Sequence, residues 1–167
     1  MNPPKITFMS NYDNIRMNPN LYRNGKVCLS ILNTWKGEQW SSCQSLRTVL
    51  LTLVTLFHNK PLLNEPGILE SHRHFKSYNS IIEYKNLEVA CFGMINKKHF
   101  PEEFECFYSI IKNHFKENKE KIKESLDKIK KNETNYYHCD VYYRSPLLLD
   151  YEKLAENYDS TIRSLGE

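Results

Sequence analysis

The chain has 167 residues, 40% apolar and 26% charged, with a net charge of only +3 at pH 7. That is one domain's length with enough apolar material for a real core, and too little charge to argue for a nucleic-acid partner. The five cysteines are odd in number, widely spread and contain no CxxC pair, which speaks against a disulfide framework and a structural zinc site and for a reducing compartment.

The segment Met1 to Lys5 has no apolar signal core, and no membrane span is expected. Ile6 to Met9 reads as a short strand, followed by a polar, irregular stretch from Tyr12 to Met17. Two turn signals come next, Asn18-Pro19-Asn20 and Asn24-Gly25, each of a kind that reverses a backbone tightly. Val27 to Leu32 follows as a short strand or extended segment. Asn33 to Trp40 forms a loop closed by two indoles, Trp35 and Trp40, of which Trp40 covers the core. Ser41-Ser42 offers a helix cap, and Leu46, Val49, Leu50, Leu53, Val54 and Phe57 recur at helical spacing, which predicts a buried amphipathic helix. Thr52 and Thr55 interrupt its apolar run, which is far too short to cross a bilayer.

Asn59-Lys60-Pro61 ends that helix, and Leu62 to Gly67 is a loop. Apolar periodicity predicts a helix from about Ser77 to Asn96 and another opening at Pro101-Glu102-Glu103, with proline near its first position and acids in its first turn. Its pattern continues through Phe104, Tyr108, Ile111, Phe115, Ile122, Leu126 and Ile129. The Lys/Glu pairs Glu117–Lys121, Glu124–Lys128 and Asp127–Lys131 support it at i,i+4. Acids interleave the lysines from Lys116 to Lys131, so the stretch reads as a solvated helix face rather than a basic binding surface. Asn132 to Asn135 breaks the pattern. After Tyr136-Tyr137-His138 and a loop at Pro146, Tyr151, Leu154, Ala155, Tyr158, Ile162 and Leu165 form a last amphipathic helix capped by Asp150.

The chemistry centres on Cys28, eight residues after Asn20. A thiol held beside two tight turns, with an amide side chain nearby, is what acyl transfer through a thioester requires. Sulfur takes the acyl group, and a fixed amide N–H donates to the oxyanion formed when an amine attacks. The competing reading is a small buried hydrophobe beside an ordinary turn. A Cys-His hydrolase would need a base bonded to the thiol, and the spacing selects none of His58, His72 and His74. His72-x-His74 has no partner cysteines at ligand spacing, so a zinc site is not expected; acyl transfer through a thioester needs no metal or small cofactor.

Asn18-Pro19-Asn20, Asn24-Gly25 and Cys28-Leu29 together resemble the active-site signature of ubiquitin-conjugating enzymes. The likeness continues through Thr34-Trp35, Trp40-Ser41, Val49 to Phe57 and Asn64-Glu65-Pro66. The wording from Asn18 to Trp35 resembles the Z-type branch, which shares Asn18 where most members have His. This resemblance implies an α+β ubiquitin-conjugating (UBC) fold, here N-terminally truncated: a helix and three strands of a four-stranded antiparallel sheet would precede Pro3, so a fragment of a longer protein is expected. It further implies a core over residues 1–115 and a helical C-terminal extension over 116–167, similar to the long tail of the Z-type branch.

By the same resemblance, Cys28 carries ubiquitin or a ubiquitin-like modifier as a thioester and Asn20 stabilises the oxyanion. Asn18, Pro19, Tyr22, Leu29 and Ser30 support the site, and Trp35 and Trp40 wall the groove. Glu65 matches the acid that gates it, orienting the attacking lysine or taking its proton; a solvated loop acid is the alternative. Ser41-Ser42-Cys43 stands where the family has a ligase-binding Ser-Pro-Ala. The implied partners are the modifier, a dedicated activating enzyme that uses the ATP upstream, ubiquitin ligases and protein substrates. A tandem ubiquitin-like modifier is a second implied cargo. The chain is expected to act as a monomer in the cytoplasm, with the nucleus as a second setting. The rival expectation is a non-catalytic binding module of the same fold that is not charged, for want of the N-terminal docking helix.

Overall fold

The computed structural model describes residues 2–10, 12–132 and 134–166; Met1 and Glu133, named above in the N-terminal segment and the helix break, lie outside them. Contacts divide the chain into two units, residues 1–79 and 80–167.

The first unit is built around a tight turn. Tyr22 N–H donates to the Lys26 carbonyl and Gly25 N–H to the Tyr22 carbonyl, each at 2.9 Å. The side-chain carbonyl of Asn24 accepts from Lys26 N–H at 3.1 Å. Gly25 sits at φ +84°, where a Cβ would lie 2.7 Å from the Thr7 methyl, so both conformation and space call for glycine. The turn brings Val27 against Leu21 and Lys26 against Thr7 in single antiparallel bridges. The strand expected over Ile6 to Met9 is reduced to that bridge and one bond, Phe8 N–H to the Gly25 carbonyl at 2.8 Å. Nor does Val27 to Leu32 extend as a strand: after Val27 the chain coils into one 3₁₀ turn, Ser30–Leu32, closed by Asn33 in the left-handed region. Leu21, Val27, Leu29, Ile31, Leu32 and Val49 form the core of this unit, with Ile6, Phe8, Trp40, Leu53 and Leu56 packed against it.

Helix α1 spans Leu46–Thr55. Its cap is Ser45 rather than Ser41 or Ser42: Ser45 and Thr48 exchange side-chain and backbone bonds in a reciprocal box, satisfying two of the N–H groups that a helix start leaves unpaired. The expected burial of its whole apolar stripe is corrected here. Val49 is buried, but Leu46, Leu50, Val54 and Phe57 are each more than half exposed, as is Leu51. One row of α1 packs on the core and the remaining rows face outward. No helix among the described residues is long and apolar enough to cross a membrane.

Helix α2, Phe75–Lys85, runs from the end of the first unit into the second. It continues without interruption into a wider π-helical stretch, Asn86–Gly93, that buries Leu87, Val89 and Phe92. Buried Val89 falls two residues after Leu87 and three before Phe92, a spacing that the wider turns accommodate. At Gly93 a Cβ would meet the His99 ring at 2.7 Å, so a side chain there would displace His99. Pro101 caps a 3₁₀ turn, Glu102–Phe107, rather than starting an α-helix. Helix α3 follows at Tyr108–Glu117 and α4 at Lys119–Ile129. The single helix expected across them breaks at Asn118 (φ −110°, ψ 11°), whose backbone N–H and side-chain amide both donate to the His114 carbonyl, at 3.1 and 2.9 Å, a local side-chain bond of the kind that asparagine makes at helix ends. Lys128 reaches Glu83 of α2 at 3.3 Å.

A hairpin not foreseen in the sequence joins β1 (Asn135–Tyr137) to β2 (Leu147–Leu149), with Tyr136 opposite Leu148. Helix α5, Tyr151–Ser164, is capped as expected by the Asp150 carboxylate, which accepts from Lys153 N–H at 3.0 Å. Tyr84 donates to the Asp150 carbonyl at 3.1 Å and meets the Tyr151 ring edge-on at 5.5 Å. Phe92 packs edge-on against Phe115 and Tyr158. Asn96 donates to the fully buried Thr161 hydroxyl at 2.8 Å.

Two measurements check this architecture. Urea denaturation of Val49→Ala should show a loss of about 2 kcal/mol, as for other truncations of buried aliphatics, whereas Leu50→Gln should stay within about 0.5 kcal/mol. Burial pushes the Cys91 thiol up from 9.0 to about 11, and burial likewise raises Tyr84 and Tyr151 above their ordinary range. Between pH 9 and 11 the unfolded chain therefore releases protons that the folded chain keeps. The Cys91 contribution is full below pH 9 and is lost as pH rises through 11, while that of the tyrosines begins to fall later and persists to higher pH. The urea midpoint should fall over that window, and less steeply in Cys91→Ala.

Candidate active site

The two turns place Cys28 directly opposite Asn20. Cys28 N–H donates to the Asn20 carbonyl at 2.8 Å, and the Asn20 side chain returns a bond from Nδ2 to the Cys28 carbonyl, also at 2.8 Å. The amide and the thiol-bearing residue are thus fixed by two bonds in opposite directions. One Nδ2 proton is used on Cys28, and the amide group has a second. The Asn20 Oδ1 is buried without a hydrogen-bond partner, the kind of unsatisfied group that native structures keep to a few places.

Behind Asn20 stands Asn18, 1% exposed. Its Oδ1 accepts from Asn20 N–H at 3.0 Å, and its Nδ2 donates to the Leu56 carbonyl at 2.9 Å. That carbonyl lies at the C-terminal end of α1, where helix carbonyls lack internal partners. Arg16 holds the front of the turn. Its guanidinium donates to the Pro19 carbonyl and lies 3.8 Å over the Tyr22 ring. On the far side the Thr34 hydroxyl donates to the Val27 carbonyl at 2.7 Å and accepts from Leu29 N–H at 3.0 Å, pinning both neighbours of Cys28.

Pro19, Asn20, Tyr22, Cys28, Trp35, Asn64, Glu65 and Pro66 line one small hollow of about 10 Å³. The structure therefore brings together Cys28, Asn20, Pro19, Tyr22 and Glu65. Asn18 supports them from behind, while Leu29 packs in the core and Ser30 opens the 3₁₀ turn, neither on the hollow. Trp35 does wall it; Trp40 instead packs on the core. Arg16, Thr34 and Asn64 were not singled out from the sequence as site residues. Cys28 itself is only 2% exposed. No histidine lines the hollow; His58 bonds to Asn64, and His72 Nδ1 accepts from His74 N–H. Among the described residues no three His, Cys, Asp or Glu side chains are grouped to hold a metal ion.

The family model for ubiquitin-conjugating enzyme matches residues 1–86, the half of the chain that contains this site. The chain belongs to the ubiquitin-conjugating enzyme family. Its relatives point to the Z-type branch. It is 38% identical over 132 residues to ubiquitin-conjugating enzyme E2 Z of Xenopus tropicalis, covering 69% of this chain and 42% of that protein. To the Homo sapiens protein of the same name it is 44% identical over 102 residues, covering 59% of this chain and 28% of the relative. The Danio rerio counterpart is 42% identical over the same length, with 59% and 31% covered. The chain thus spans between 28% and 42% of the length of these relatives. Among the described residues, five α-helices and a small antiparallel sheet make up an α+β ubiquitin-conjugating fold.

Asn18→Ala should lower stability by about 2 kcal/mol in thermal or urea unfolding, since the cavity leaves Asn20 N–H without its acceptor and removes a donor from the Leu56 carbonyl.

Proposed function

We propose that this chain is a ubiquitin-conjugating enzyme that carries ubiquitin or a ubiquitin-like modifier as a thioester on Cys28. The observation that supports this best is the reciprocal pairing of Asn20 and Cys28. The Cys28 sulfur attacks the thioester carbonyl presented by an activating enzyme, and that enzyme's thiolate leaves. A lysine amine, or a ligase thiolate, then attacks the carbonyl on Cys28. The second N–H of Asn20 donates to the oxyanion of the tetrahedral intermediate. Collapse breaks the C–S bond and returns the Cys28 thiolate. With an amine, the extra proton leaves the nitrogen toward water or Glu65, which lines the same hollow. Removing one oxyanion donor typically costs roughly 10²–10³ in rate. In this reading Pro19 and Tyr22 shape the hollow, no cofactor takes part, and the partners are the modifier, activating enzyme, ligases and protein substrates. A monomer in the cytoplasm or nucleus fits this role.

The near-complete burial of Cys28 favours a second reading, a non-catalytic module that holds a modifier or partner without being charged. The test uses ubiquitin prepared as a C-terminal small-molecule thioester, so that exchange onto the chain needs no activating enzyme, followed by gels with and without reductant. The parent chain should show a reductant-sensitive adduct, Cys28→Ser a reductant-resistant ester or none, and Asn20→Ala an adduct that forms but discharges to free lysine about 10²-fold more slowly. A folded parent chain that stays bare, or an adduct that survives in Cys28→Ala, would defeat the thioester reading.

A further inference from the structure

Asn64 occupies a position in the hollow that the mechanism above does not use. Its Nδ2 donates to the Leu56 carbonyl at 3.0 Å and to Asn18 Oδ1 at 3.3 Å. Leu56 O therefore accepts from two side-chain amides, Asn18 and Asn64, and these amides also bond to each other. On its other side, Asn64 Oδ1 meets His58 Nε2 at 3.1 Å, and His58 Nδ1 accepts from Lys60 N–H at 3.2 Å. An imidazole whose Nδ1 accepts carries its proton on Nε2 when neutral, so His58 donates to Asn64 Oδ1. That bond sets which way the Asn64 amide faces: its NH₂ toward Asn18 and Leu56, its oxygen toward His58.

The chain of bonds runs from His58 to Asn64, to Asn18 Oδ1, to Asn20 N–H, and from the Asn20 side chain to Cys28. Asn18 has one oxygen and must accept from both Asn64 and Asn20. If Asn64 turned over, its oxygen would face Asn18 Oδ1 and the Leu56 carbonyl, and the repulsion would strain the two bonds, to Leu56 O and from Asn20 N–H, that otherwise hold Asn18. Resting on the thioester reading of Cys28, we infer that Asn64 is a positioning residue for acyl transfer, acting through Asn18 to hold Asn20 where the oxyanion forms. It is a positioning residue and not a catalytic one, since its hydrogen bonds go to His58, Asn18 and Leu56 and none goes to Asn20 or Cys28.

Asn64→Asp is the decisive variant. It keeps the shape of the side chain but replaces the NH₂ that faces Asn18 and Leu56 with oxygen, and the position is only partly buried, so the fold should survive. The chain is charged with the small-molecule ubiquitin thioester and discharged against a series of free lysine concentrations. Side-chain amide resonances of Asn18 and Asn20 are recorded separately on the uncharged chain. Asn64→Asp should charge at the parent rate yet discharge about tenfold more slowly, short of the 10²–10³ expected for direct loss of an oxyanion donor. The fall should lie in the maximal rate and not in the lysine concentration for half-maximal rate. The Asn20 amide resonances should shift in the same variant, although Asn64 does not touch Asn20 in any bond described above. A parent chain that charges, with Asn64→Asp discharging at the parent rate or leaving Asn20 unshifted, overturns this inference alone. A parent chain that takes no modifier overturns the thioester reading, and this inference with it.

Discussion

The first unit depends on one pair of hydrogen bonds, those joining Asn20 and Cys28. They close the loop between two turns, bring Leu21 and Val27 side by side, and thereby set the direction in which Leu29, Ile31 and Leu32 enter the core. The same pair decides where the thiol stands relative to the amide. Packing and chemistry therefore share a constraint. A substitution that loosened the turn would weaken the core and misplace the site together. The surrounding supports, Arg16 on Pro19 and Tyr22 and Thr34 on Val27 and Leu29, all brace this loop and not the helices.

Much of the site was legible because turns are local chemistry. Asn-Pro-Asn, Asn-Gly and a cysteine at fixed offsets announce themselves in a single sequence. The supports were less legible because they are contacts between distant residues: Asn64 meets Asn18 across 46 positions, and nothing in the spacing of either predicts it. Helix starts show the same division. Asp150 was readable as a cap from its place before a periodic run, but Ser45 was hidden behind Ser41 and Ser42, and the partner that decides between them is a threonine rather than the usual Glu or Gln.

Burial was the least legible property. Periodicity shows that α1 has an apolar face, but it does not say how much of that face meets a neighbour. Among the described residues, it is the row containing Val49 that does so. The hairpin β1–β2 escaped for a different reason: its strands are three residues each, too short for an alternating pattern to stand out. At Asn118 a run of helical periodicity concealed a break, because a single residue off helical geometry leaves the apolar spacing on either side undisturbed.

The wide turns between Asn86 and Gly93 carry a consequence for how this chain tolerates changes in length. A π-helical stretch holds more residues per turn than the helix on either side. A single deletion inside it could be absorbed by tightening the coil into ordinary α geometry, leaving hydrogen bonds intact. The residues after the deletion would turn about the helix axis by far less than the roughly 100° that one residue is worth in ordinary α geometry, because a wide turn spends an extra residue on the same rotation. Asn96 would still face Thr161. The same deletion in the α-helical part of α2 would have no such reserve and would swing Asn96 away from Thr161, so the wide turns make this stretch the part of the run most tolerant of a lost residue.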